Sequence, residues 1–219
     1  MVGPHEILGM SRELGMSATD FLAVHADNGG TTLRYGEDGR CAFVTPAGCR
    51  VHARRPLVCR LYPLGRTVDD TGDERFGVLT PEPDCKAEIG AAGTVDSFLG
   101  SQGVGPYLGW SRRYGALYKR MVGLLDRIGV EGRVDEPVAG EPASAERAAD
   151  HAPVESAPLS SWQDIDASLA EYCAAKGIAT PAGIEGSIDL HLRAMKDWLD
   201  DLEARIGTAP DAPRGAKKP

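Results

Sequence analysis

Apolar positions recur at helical spacing in several stretches of the chain, and the gaps between those stretches carry the residues that start and stop helices. Over residues 5–27, HEILGMSRELGMSATDFLAVHAD, the positions Ile7, Leu8, Leu14, Phe21, Leu22 and Val24, with the cap signature Ser17-x-x-Asp20, predict two short helices. Asn28-Gly29-Gly30 ends that pair, Thr31–Tyr35 reads as a short strand, and Gly36-Glu37-Asp38-Gly39 as the turn that closes it. Thr94-Val95-Asp96-Ser97-Phe98 has the form of a capped helix start. From about Tyr107 a longer helix is expected, with Trp110, Tyr114, Leu117, Met121 and Leu125 on its core face. Towards the end, Ser161-x-x-Asp164 is expected to cap one helix and Thr180-Pro181 to open another. The second carries Ile184, Ile188, Leu192, Met195, Leu199 and Leu202 at helical spacing, and the two are predicted to pack as a hairpin.

Two stretches lack that periodicity. From Cys41 to Arg66 the chain is interrupted by Pro46, Gly48, Pro56, Pro63 and Gly65, so neither a long helix nor a continuous strand fits and an irregular, loop-rich knot is expected. Between Glu131 and Ser160 the composition turns to Glu, Ala and Pro without an apolar face, the pattern of a flexible acidic linker. The last residues, TAPDAPRGAKKP, hold too much Pro, Gly and Lys to order alone. The expected organisation is a cysteine-cluster metal-binding domain with its following helix over 1–130, a linker over 131–160, a helical hairpin over 161–206 and a disordered tail over 207–219. The fold class is α+β: mainly α, with a small irregular β/loop cysteine-rich knot.

Composition narrows the function classes. A chain of 219 residues with 42% apolar and 26% charged residues is long enough to bury a core and is globular in kind. The formal charge of −8 speaks against a dedicated nucleic-acid binder, which usually presents a basic face. No run approaches 18 apolar residues, and the N-terminus MVGPHEILGM lacks the basic start and apolar run of a signal peptide, so a cytoplasmic protein without membrane association is expected.

In such a compartment cysteines are poor disulfide partners, and four of the five lie within the 45 residues from Cys41 to Cys85. Their spacing is C-x7-C-x9-C-x25-C, without the C-x2-C pairs of a zinc ribbon. Small buried thiols also serve as core residues, the role expected of Cys173 on its helix. From Cys41 to Val68, however, there is no Asp or Glu, while Arg50, Arg54, Arg55, Arg60 and Arg66 are all present. Four thiolates around a divalent ion carry about −2, a charge that guanidinium groups or backbone amides near the sulfurs would offset. A solvated basic surface is the plainer account of the same arginines. His52, three residues after Cys49, has the chemistry of a further ligand, whereas His5, His25, His151 and His191 share no ligand spacing and are assigned no role.

The run Cys41-Ala-Phe-Val, followed by Cys49-Arg-Val-His-Ala-Arg-Arg-Pro-Leu-Val-Cys59-Arg-Leu-Tyr-Pro-Leu-Gly, resembles the YkgJ-type cysteine-cluster family of zinc- or iron-chelating domains. The specific part is R-P-x-x-C-R-x-[YF]-P, and the likeness spans roughly residues 5 to 105. It implies metal ligation by Cys41, Cys49, Cys59 and Cys85, with Arg55, Pro56, Arg60 and Pro63 as framework. Members usually carry a further C-x3-C-x2-C-C cluster shortly before the first helix. This sequence lacks it, and Gly3–Leu8 stands where the helix after that cluster would begin, so a start set too far downstream is expected.

Four thiolates around zinc would make a closed structural site; a larger cysteine set would suit an iron–sulfur cluster. Flagellin lysine methylases carry a related cluster, so an iron–sulfur-dependent methylase-like enzyme is one alternative. No G-x-S-x-G, H-E-x-x-H or glycine-rich nucleotide loop is present, and no reaction is assigned. A second alternative is an interaction module in which the cysteine knot is scaffold and the C-terminal helices meet a protein partner. The basic residues Arg112, Arg113, Lys119, Arg120 and Arg127 on the long helix would then suit an acidic partner or form a solvated face.

Overall fold

The structure is a computed structural model, which describes residues 1–69, 71–80, 90, 93–127 and 162–208. Cys85, the 131–160 segment and the tail from 209 lie outside the described residues.

The first two helices are where the sequence places them. Helix α1, Pro4–Glu13, opens with Pro4 in its first turn, where a missing N–H costs nothing, and the Glu6 side chain reaches back to accept the Gly3 N–H at 2.7 Å. Helix α2, Ala18–His25, is capped by Ser17, whose hydroxyl accepts from the Asp20 N–H. The strand expected over 31–35 shortens to β2, Thr32–Leu33, which pairs antiparallel with β1, Ala26–Asp27. An isolated bridge between Tyr35 and Cys41 closes the following turn.

The Cys41–Arg66 stretch is irregular up to Pro63, built from short pieces. Strands β3, Val44–Thr45, and β4, Gly48–Cys49, make a small hairpin; a single 3-10 turn, His52–Arg54, leads to helix α3, Leu57–Leu61. The expectation fails at its end. Leu64 begins β5, Leu64–Val68, which pairs with β6, Glu74–Val78, over five residue pairs. The turn between them is fixed by Asp69, whose Oδ1 accepts the N–H groups of Thr71 and Asp73.

Helix α4, Val95–Ser101, starts at the Thr94 cap as predicted, and the long α5 runs Gly105–Arg127. The next helix, α6, is Ile165–Lys176. Its cap is Asp164 itself, which accepts from the Ala167 N–H; Ser161, expected to share that role, lies outside the described residues. Gly177 ends α6 in the left-handed conformation at φ 65°, which lets the Ile178 N–H return to the Cys173 carbonyl. Helix α7, Ile184–Thr208, begins three residues after Pro181.

The chain is therefore mainly helical, with small two-stranded antiparallel sheets. Helices α6 and α7 pack on each other as the expected hairpin and also against α1, α2 and α5. Ile188 and Leu199 are fully buried and Leu192 and Met195 nearly so, in one cluster with Tyr114, Met121 and Leu124 of α5. The apolar stripe of the C-terminal helices thus lies inside this core, so a partner meeting α7 would meet its outer face. Helix α1 is the wall between two cores: Leu8 faces that helical cluster, while Ile7 and Met10 face a second cluster with Phe21, Phe43 and Val51.

Ion pairs bind the same elements at the surface. Four arginines of α5 meet carboxylates of this chain: Arg113 pairs with Asp189, Arg120 with Asp200 and Glu203, Arg127 with Glu203, and Arg112 with Glu74. At the α1–α2 corner, Asp166 of α6 takes the Arg12 guanidinium and the Ala18 N–H, while Asp164 takes the Thr19 hydroxyl.

Candidate functional site

Three of the four cysteines singled out by spacing come from three separate local structures. Cys41 is held by the bridge to Tyr35, and its carbonyl accepts the Val44 N–H at 3.0 Å. Cys49 ends β4, in register with Val44. Both pack against the cluster around Phe43 and Val51 and are half-buried. Cys59 sits on α3, one short helix later. All three are unpaired thiols, as is Cys173, which is buried on α6 as its core role requires.

Burial is the largest influence on Cys59 and pushes its thiol up, and the charges of Cys41 and Cys49 push in the same direction. Glu6 adds to the shift, while Arg55 opposes it. By surface area Cys59 is exposed, yet protein is dense enough around its sulfur for desolvation to lead. Among the described residues, no three Cys, His, Asp or Glu side chains are arranged to hold a metal ion. Cys85 lies outside the described residues. His52 is exposed on its 3-10 turn.

Comparison with protein-family models, curated proteins and solved structures finds no match to this chain.

The arginines near the cysteines divide by what they touch. Arg60 is 8% exposed and gives its guanidinium to the carbonyls of Ala53, Arg55 and Gln102 and to the Tyr107 hydroxyl, at 2.6 to 3.0 Å. It also lies 4.2 Å from the centre of the Tyr107 ring. Its charge serves to hold the 53–60 loop against α5, a framework task and not the thiolate-offsetting one suggested by the local charge pattern. Arg55 donates to the His52 carbonyl and the Gln102 side chain, and it is the guanidinium that eases ionisation of Cys59. Arg50 and Arg54 are exposed. Pro56 caps α3, and Pro63 follows Tyr62 through a cis peptide bond.

Glu6 was not a candidate from spacing. Its two carboxylate oxygens take the Gly3 N–H and, at 2.6 Å, the Leu57 N–H, so it ties α1 to the start of α3 beneath Cys59. Burial pushes its carboxyl up, and the two backbone bonds pull it back. The Gly-Pro-x-Glu pattern at the head of α1 is the signal that marks it as a cap; nothing local marks its second bond. His5 and His191 are buried neutral groups, each lowered by burial to about 4. His5 stacks on Tyr114 at 5.3 Å between ring centres, and the Tyr114 hydroxyl meets His191 Nδ1 at 2.9 Å.

Proposed function

We propose that Cys41, Cys49 and Cys59, completed by Cys85, bind a thiophilic metal ion, zinc or iron, and that this is the protein's biochemical role. The observation that carries the proposal is that the unpaired thiols Cys41 and Cys49, from the Tyr35–Cys41 bridge and β4, act on the unpaired Cys59 of α3, with Arg55 opposing them. The resistance of Cys59 to ionisation is what a bound cation relieves, since a thiophilic ion stabilises the thiolate form. The resemblance to the YkgJ-type family supports the same ligands. Bound there, the ion would supply a cross-link between segments that otherwise share few apolar contacts.

The test is metal content and the absorption spectrum of protein purified without air. Stoichiometric metal is expected in the wild-type chain and in Cys173→Ser, and its loss in Cys49→Ser/Cys59→Ser. Colourless zinc would mark a structural site, and iron with sulfide and a brown chromophore a cluster. Equal metal in the wild type and the double variant would overturn the assignment.

A further inference from the structure

Most of the buried side-chain atoms without a hydrogen-bond partner gather in one place, His191 Nε2 lying apart from them. Among the described residues they include both ring nitrogens of His5, Nε of Arg66 and Oε1 of Gln163. All three residues line a single cleft of about 680 Å³ between the head of α1, the α3–β5 segment and α5. Leaving such groups unpaired is costly, and native proteins answer them with water or a ligand. The volume falls in the usual range for a small-molecule site, roughly 300–1,000 Å³. Val2, Leu57, Leu61, Leu64 and Leu79 supply apolar wall.

The polar side of the cleft carries one guanidinium. Arg66 gives Nη2 to Glu74 at 2.8 Å and Nη1 to Ser111 at 3.3 Å, while Arg112 takes the same Glu74 through two bonds of 2.6 and 2.9 Å. Two guanidiniums thus share one carboxylate, and the one at the cleft wall is 15% exposed. The carboxylate of Glu6, also in the wall, is occupied by backbone N–H groups. His5, neutral in its buried setting, offers one donor and one acceptor, and Gln163 an acceptor.

We propose that this cleft binds a small monocarboxylic acid with an apolar body, the carboxylate meeting Arg66 and the body lying against the leucines. An ammonium head would face an already desolvated guanidinium. A neutral amide would meet the unpaired Arg66 Nε without the second charge that strengthens such a bond.

Titration calorimetry of the full chain with octanoate, octanamide and octylamine tests this. Octanoate should bind saturably at one site and raise the melting temperature, octanamide should bind at least tenfold more weakly, and octylamine should not bind. Arg66→Gln should weaken octanoate at least tenfold. Because that change also removes one of the bonds to Glu74, Gly115→Leu gives an independent check. Gly115 lines the cleft from α5, and a Cβ there meets no atom within 4 Å, so leucine should obstruct binding while the melting temperature holds or rises. Absence of saturable octanoate binding, equal affinity for octanamide, or undiminished octanoate binding in Gly115→Leu would overturn the proposal.

Discussion

The helical body and the cysteine-bearing stretch from 41 to 68 are built on different terms. In the body, α5, α6 and α7 bury eleven residues in one cluster that also takes in Trp162 and Leu8 of α1. In the cysteine-bearing stretch only Phe43 and Val51 enter the second cluster, and Leu57 and Leu61 a third. Its position depends instead on directed bonds: four from Arg60, and the Glu6 carboxylate on the Leu57 N–H. Apolar burial makes the body self-sufficient. A loop held by a few polar ties keeps its thiols near the surface, where an ion could draw on them.

Acid is the strongest way to separate the two, because the buried neutral histidines belong to the body. His5 and His191 each stand at about 4, below the ordinary 6.5. Their stabilising contribution is complete above pH 6.5, where folded and unfolded forms are both neutral. It is lost as the pH falls towards 4, where the unfolded chain has taken up protons the fold refuses. The drop from 6.5 to about 4 corresponds to roughly 3 kcal/mol for each ring, so about 6 kcal/mol should disappear over that window. Urea unfolding at pH 7, 5.5 and 4.5 measures it, and His191→Phe should flatten the dependence by about half.

At neutral pH the apolar side sets the next effect. Leu199 is fully buried between α5 and α6, so Leu199→Ala should cost roughly 2–5 kcal/mol by chemical denaturation. The metal content of the folded fraction should not change. A cost under 1 kcal/mol would mean that the α7 stripe is not core.

What was legible in the sequence follows the same division. The stripes of α5 and α7 repeat every three to four residues, so their helices and buried faces could be read directly, and the Ser17 and Thr94 caps announced themselves. The β5–β6 hairpin was missed although an Asp- and Gly-rich turn separates two alternating segments, because the proline and glycine breaks before it suggested irregularity throughout. The cysteine spacing marked Cys41 and Cys49, whose charges act on Cys59, but not which arginine does so. A charge run shows that guanidiniums are nearby, whereas Arg60 faces carbonyls only because α5 brings Tyr107 and the preceding loop brings Gln102. The cleft was invisible, since His5, Arg66 and Gln163 lie far apart in the chain and share no motif.

Arg60→Met tests the polar ties. Methionine keeps much of the apolar stem but abandons three carbonyls and the Tyr107 hydroxyl, so a loss of about 2–4 kcal/mol is expected. Amide exchange should quicken over residues 53–61 while α7 stays protected. Lysine should restore little, because an ammonium cannot span the same carbonyls as a planar fork. Uniform quickening across both regions would mean that the two do not differ in how they are held.

The smallest effect should come from the thiols in the absence of metal. Cys59 is exposed and Cys49 half-buried, so Cys49→Ser/Cys59→Ser should move the metal-free stability by less than about 1 kcal/mol. Added zinc should then separate the two chains, because an ion bound only by the folded form stabilises it in proportion to the logarithm of its concentration. The wild-type melting temperature should climb with zinc and the double variant's should not. If both climb together the ion binds elsewhere, and if the double variant is already badly destabilised without metal, the thiols are packing residues and the loop resembles the body after all.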